Sequence, residues 1–317
     1  MNPWPNFLVI GAAKAGTTAL HVYLRQHPQV CMSRFKEANY FISPGRPPRF
    51  GGPYDDSILN RDVLWRREDY LRQFAGVRDE EAIGDVSPRY LSTPEAAESI
   101  HHRLPEARIV AILRQPADRA WSHFQMRRRD GFEPCATLEQ AIAEEPRRAA
   151  ENWGGGRYLE RGFYAAQLLP YLERFPRERI RLYLYDDLVA DPRRLLRDLF
   201  AFLGVDPSFV PDVSLRPNRS GELRNPVLRW LWTRTHDLRA PVRRFLPKAF
   251  RGTVSRWVIS RPLERTALPA GTRRWLTGIY ADDIRRLAGL LGRDLSPWLE
   301  EGSHGSSGTA AASPSNP

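Results

Sequence analysis

The chain has 317 residues, 42% of them hydrophobic, which is enough for one large domain or two small ones with a sizeable core. No apolar run reaches the roughly eighteen residues that a membrane helix needs. Two widely separated cysteines, Cys31 and Cys135, lack metal-type spacing, so a disulfide framework and a zinc site are not expected. The net charge of +11 is local: residues 223–274 hold thirteen basic and two acidic side chains, which equals the whole excess. That balance points to an anionic ligand, acceptor or surface. No nucleic-acid-binding signature accompanies it, and no nucleic-acid partner is expected. Only three of the 48 basic residues are lysine (Lys14, Lys36 and Lys248), so a lysine inside a motif suggests a specific role.

In chain order, Phe7–Ile10 reads as a buried strand. It runs into Gly-Ala-Ala-Lys-Ala-Gly-Thr-Thr at 11–18, and a helix follows from Ala19. Strand, glycine-rich loop and helix form a phosphate cradle: small residues let N–H groups close on an anion, and the helix N-terminus adds positive potential. A nucleotide-triphosphate loop has lysine directly after its second glycine. Here Thr17 fills that slot and the lysine lies inside the loop, at Lys14.

A strand from His27 is expected to end in Lys36-Glu37, before Tyr40-Phe41. Residues 43–60, rich in Pro and Gly, read as an irregular surface loop lining an acceptor cleft. Helices are expected over Trp65–Phe74 and Pro94–Leu104, with a short strand at Ala82–Leu91 between them. Arg108–Arg114 is the clearest buried strand, and it leads into a helix over Ala117–Arg128 with Ser122 on its second turn.

A helix opening at Arg161-Gly162-Phe163-Tyr164, a strand at Arg179–Tyr185 and a helix from Pro192 to Leu203 follow. The basic stretch reads as amphipathic helices broken at Pro241, Pro247 and Pro262. Trp275–Leu291 has helical periodicity, and a disordered Gly/Ser/Ala/Pro tail is expected at 302–317. Alternating strands and helices predict an α/β fold: a P-loop-like three-layer αβα domain over 1–301 with a mostly parallel sheet.

Several of these segments resemble the sulfotransferases that use 3′-phosphoadenosine 5′-phosphosulfate (PAPS), most closely the heparan-sulfate type and its bacterial relatives, over roughly residues 5–300. The resemblance implies that Gly11, Ala13, Lys14, Ala15, Gly16, Thr17 and Thr18 bind the 5′-phosphosulfate. Arg114 and Ser122, with Pro116 and Arg119 in the same motif, resemble the 3′-phosphate site. Arg161-Gly-Phe-Tyr164 resembles a family helix start. Arg219-Ser220-Gly221-Glu-Leu-Arg224 resembles a late loop closing over the nucleotide, which implies donor contacts from Ser220, Gly221 and Arg224.

Glu37 resembles the family's general base, and Lys14 would stabilise the leaving phosphate. Two anion sites on one sheet match what PAPS requires, and a sulfuryl group carries less charge than a phosphoryl, so no metal is expected. The co-product would be PAP. Implied acceptors are the hydroxyl or amine of a small molecule, lipid or glycan. The chain departs from the heparan branch at Val86, where that branch has lysine and Arg89 is the nearest substitute, and at Asn39; both departures fall on the acceptor side.

Two other readings stay open: a P-loop kinase or NTPase, with Asp85 the nearest acidic partner, and a non-catalytic binder of anionic glycans or membranes through 223–274. His101, His102 and His123 are rival bases, each read as an ordinary surface or part-buried histidine. Reduced cysteines and no leader-like N-terminus suggest a cytosolic setting.

Overall fold

The structure, a computed structural model, describes residues 2–56, 59–215 and 266–300. Five strands, β1 (Phe7–Gly11), β2 (Val30–Met32), β3 (Ala82–Val86), β4 (Arg108–Leu113) and β5 (Ile180–Leu184), form one sheet. Its order is β2-β3-β1-β4-β5, and every pairing is parallel. Val9 of β1 lies opposite Val86 of β3 on one side and Val110 of β4 on the other. β1 is therefore central, and the loop after it opens at the carboxyl edge of the sheet, where ligands bind in this architecture.

The described helices begin with α1 (Thr17–Leu24), α2 (Leu59–Asp62), α3 (Arg67–Leu71) and α4 (Pro94–Arg103). They continue with α5 (Pro116–Asp130), α6 (Leu138–Ala143), α7 (Glu145–Ala150) and α8 (Tyr164–Leu172). Beyond β5 come α9 (Tyr185–Ala190), α10 (Pro192–Leu203) and α11 (Ala270–Leu291). Among the described residues, no helix is long and apolar enough to cross a membrane.

Strand alternation makes the three layers. Leu8 and Ile10 of β1, with Ile109, Ala111 and Leu113 of β4, face one core, covered by α4, α5, α8 and α11. Phe7 and Val9, with Val110 and Ile112, face the other, covered by α1 and α10. Both sides of the central strands are apolar because both are covered. Each fully buried Leu or Phe contributes about 1.5–3 kcal/mol, so neither layer is dispensable. Gly84 in β3 makes room for Phe7 from the next strand: a Cβ there would lie 2.1 Å from the Phe7 ring.

Local signals set the helix ends. Asp191 accepts the Arg194 N–H at 3.0 Å, Pro192 opens α10, and Gly204 at φ +79° stops it. Gln115 accepts the Asp118 N–H at 2.8 Å and caps α5, which ends at Gly131, φ +82°. The expected second strand is shorter than its sequence suggests. It stops at Met32, because the Ser33 hydroxyl turns to the Phe35 carbonyl at 2.9 Å and the chain leaves the sheet before Glu37. Residues 130–156, of mixed character in sequence, contain α6 and α7.

Candidate active site

The loop between β1 and α1 is built for close backbone approach. A Cβ on Gly11 would lie 2.6 Å from Leu91. Gly16 adopts φ +97°, and a Cβ there would lie 2.8 Å from Leu188 and 3.1 Å from Tyr185. Both positions need glycine, the first for space and the second also for its left-handed backbone. α1 has no side-chain cap, so its first-turn N–H groups face the loop. That is the arrangement in which an anion supplies the cap.

Lys14 adopts φ +70°, a conformation uncommon outside glycine. Its ammonium contacts the Met126 sulfur of α5 at 3.3 Å. Burial, with Arg129 and Arg114 nearby, pulls its pKa down to about 8, while Asp130 and Glu37 pull the other way. Arg114, at the carboxyl end of β4, donates to the Lys14 carbonyl at 3.4 Å. Its guanidinium stacks over Tyr185 at 5.0 Å, and its own carbonyl accepts the Tyr164 hydroxyl at 2.9 Å. Tyr185 thus touches both motifs, lying beneath Arg114 and against Gly16.

Ser122 is buried on α5, and among the described residues no hydrogen bond joins it to Arg114 or Lys14. Arg119, the other polar residue of that motif, does not face the loop. It is fully buried and donates to the Tyr158 carbonyl. Ser220, Gly221 and Arg224, and most of the basic stretch 223–274, lie outside the described residues.

Glu37 sits just beyond β2 at φ +66°, with its N–H on the Val86 carbonyl at 2.8 Å. Its side chain is half-exposed. Burial opposes its charge, but the Lys36 ion pair and hydrogen bond, with Arg89 and Lys14, hold the carboxyl below its ordinary range. Lys14, Glu37 and Asn39 are three of the four non-glycine residues with positive φ among the described residues. Such backbone is held only where surrounding contacts impose it.

For Asn39 these contacts lead to Asp85. The Ser87 hydroxyl accepts the Asn39 N–H at 3.0 Å and donates to Asp85 at 3.0 Å. Tyr90 and Tyr70 also donate to Asp85, at 2.7 and 3.2 Å. Asp85 is fully buried, and desolvation raises its pKa to about 6 against those hydrogen bonds. It braces the Glu37 segment and does not face the phosphate loop.

Of the three histidines weighed as bases, His123 is more buried than expected. His101 packs edge-on against Phe175, with ring centroids 5.2 Å apart. His123 is buried against Tyr158, and burial holds it well below its ordinary pKa, helped by Arg161, Arg119, Arg127 and Lys14. Burial therefore favours its neutral form.

The sequence does not bring together a pair of arginines that meet at Gly154. Arg89 and Arg161 donate to one oxygen, the Gly154 carbonyl, at 2.7 and 2.9 Å. In sequence, Arg89 stands out only as a substitute for a lysine, and Arg161 only as a helix start. The Gly154–Gly156 run is the available signal, since tight backbone approach favours glycine.

A model of the sulfotransferase family matches residues 5–209. The human bifunctional heparan sulfate N-deacetylase/N-sulfotransferase 3 is 29% identical over 217 residues, 65% of this chain and 23% of that protein. The membrane-associated sulfotransferase kil1 of Dictyostelium discoideum is 30% identical over 120 residues, 38% of this chain and 22% of that protein. The chain therefore spans less than a quarter of the length of either curated relative. Among solved structures, a sulfotransferase from Alicyclobacillus acidocaldarius superposes with a TM-score of 0.74 at 32% identity, covering 94% of this chain and all of the other.

Proposed function

The chain belongs to the sulfotransferase family, and from that premise we propose that it moves a sulfuryl group from PAPS to a hydroxyl or amine of a small-molecule, lipid or glycan acceptor. One observation carries the donor assignment: Arg114 reaches the main chain of Lys14, so two cationic groups on neighbouring strand ends form one continuous site. PAPS has two separate anionic groups, and a triphosphate has one contiguous chain. The lysine inside the loop, and an Asp85 committed to hydroxyl groups, favour the first.

In this reading the loop N–H groups with Thr17 and Thr18 hold the 5′-phosphate, and Arg114 with Ser122 takes the 3′-phosphate. A guanidinium grips phosphate bidentately, which fixes orientation as well as charge. The acceptor heteroatom attacks sulfur in line. The bond from sulfur to the bridging oxygen breaks, and its electron pair leaves with the 5′-phosphate of PAP. Lys14 stabilises the charge that grows on that bridging oxygen. Glu37 takes the acceptor's proton, and Lys36 keeps it in the carboxylate form until then.

The name of the human relative refers to heparan sulfate and N-sulfation, and it supports including a glycan amine among the acceptors. The test is transfer of labelled sulfate from PAPS by the Lys14→Ala variant with its fold verified by circular dichroism. Transfer should fall to background; near-full transfer would refute the role of the loop.

A further inference from the structure

Three arginines converge on the main chain of Gly154 and Gly155. Arg89 lies in the turn after β3, and Arg161 lies just before α8; they share the Gly154 carbonyl. Arg127 of α5 closes on the next residue, so that a Cβ on Gly155 would lie 2.1 Å from its Nη1. Arg127 donates to the Phe132 carbonyl at 3.0 Å, and Arg89 lies over the Phe50 ring at 5.4 Å. Among the described residues, none of the three has a carboxylate within ion-pairing distance.

The acids nearby are already committed. Asp55 accepts the N–H groups of Gly52 and Gly154, at 2.9 and 2.7 Å. Glu133 pairs with buried Arg148 at 2.7 Å, Glu160 pairs with Arg157 at 2.8 Å, and Glu37 pairs with Lys36. Arg89 feels the Glu37 and Asp55 charges, but burial outweighs them and its pKa falls to about 10. Arg161 is pushed well below its usual range, by burial first and then by Arg89. Enclosing like charges without a counter-ion costs free energy, and an incoming anion offsets it.

The cluster is also close to the chemistry. Val86, three residues before Arg89, accepts the Glu37 N–H at 2.8 Å, and the Arg89 charge acts on the Glu37 carboxylate. We infer that the acceptor carries an anionic group (a carboxylate, or a phosphate or sulfate ester) near the atom to be sulfated, and that Arg89, Arg161 and Arg127 hold it. The identification of this anion as part of the acceptor rests on the sulfotransferase reading above. The anion site itself rests on the arginines alone.

The test uses the full chain loaded with PAP, which occupies the donor phosphate sites. Methyl β-D-glucuronide, glucose 6-phosphate and methyl β-D-glucoside are titrated by calorimetry. At least one anionic sugar should bind about tenfold or more tightly than the neutral glucoside, as a charge-assisted bidentate contact provides. The tighter of the two anions distinguishes a carboxylate from a phosphate ester. Arg161→Gln and Arg89→Gln should each reduce the preference to about twofold, and Arg161→Lys should retain part of it. PAP affinity within about twofold of wild type certifies the fold of each variant. PAP binding with no preference among the three sugars, or a preference that survives both glutamine variants, overturns the inference. Failure of the wild type to bind PAP would instead overturn the donor reading.

Discussion

Arg114 donates a hydrogen bond to the main-chain oxygen of Lys14 at 3.4 Å, so the ends of β4 and β1 share one cationic surface. One hundred residues of sequence separate the two groups, and the parallel pairing of their strands brings them together. Removing Arg114 should therefore affect one end of the donor selectively. Arg114→Ala should weaken PAP about tenfold or more, in line with a charged hydrogen bond, and weaken 5′-AMP far less. Competitive calorimetry with the two nucleotides measures this; equal losses would argue against a 3′-phosphate site.

Lys14 supplies a pH signature. Its folded pKa of about 8 is below the ordinary lysine value, mainly through burial, so the ammonium is present below pH 8 and lost above it. The free-enzyme quantity kcat/KM for PAPS should fall as pH rises through about 8. Lys14→Arg, charged throughout that range, should abolish this alkaline limb whatever rate it retains. Glu37 is held below its ordinary carboxyl range, so the acid limb should lie below pH 4.5.

Glu37→Gln keeps the size of the side chain and removes the base. Turnover should drop by about 10²–10⁴-fold with PAP affinity unchanged. Single-turnover sulfate transfer beside a PAP titration separates the two effects, and unchanged turnover would assign the proton to another group.

Asp85 provides a test of the bracing under Glu37. Its folded pKa of about 6 exceeds the unfolded value of 3.8, so between those values the native state binds more protons. Its contribution to stability therefore grows as pH falls from 6 to 3.8 and is lost as pH rises back through 6. Denaturant unfolding of wild type against Asp85→Asn should show the wild type gaining on the variant by up to about 3 kcal/mol over that interval. A constant difference would mean that Asp85 does not titrate there.

What is legible in the chain follows from range. The loop at 11–18, the strand into Arg114 and the helix from Pro192 to Leu203 are local patterns, and each stands where its residues predict. Glu37 is legible as a residue but not in its setting. The strand expected to end at Lys36-Glu37 ends at Met32, where Ser33 turns the chain, and Glu37 and Asn39 are held instead by hydrogen bonds to Val86 and Ser87, some fifty positions away. Asp85 is only the nearest acidic candidate in sequence, and its role is not legible there because its companions, Tyr70 and Ser87, are recognised only by packing. His123 and Arg119 lie on the helix expected over Ala117–Arg128, and both are buried because α5 is covered by α11 and by the segment around Tyr158. The meeting of Arg89 and Arg161 at Gly154 depends on a contact across sixty-five positions that no local spacing announces.

A site built for PAPS must accept a nucleotide with two separate phosphate groups. Calorimetric titration of the full chain with PAP, and separately with ATP–Mg²⁺, tests this most directly. The expected result is saturable one-to-one binding of PAP, weakened by Arg114→Ala, with ATP–Mg²⁺ binding at least about a hundredfold weaker. Tight ATP–Mg²⁺ binding with no measurable PAP binding would contradict it.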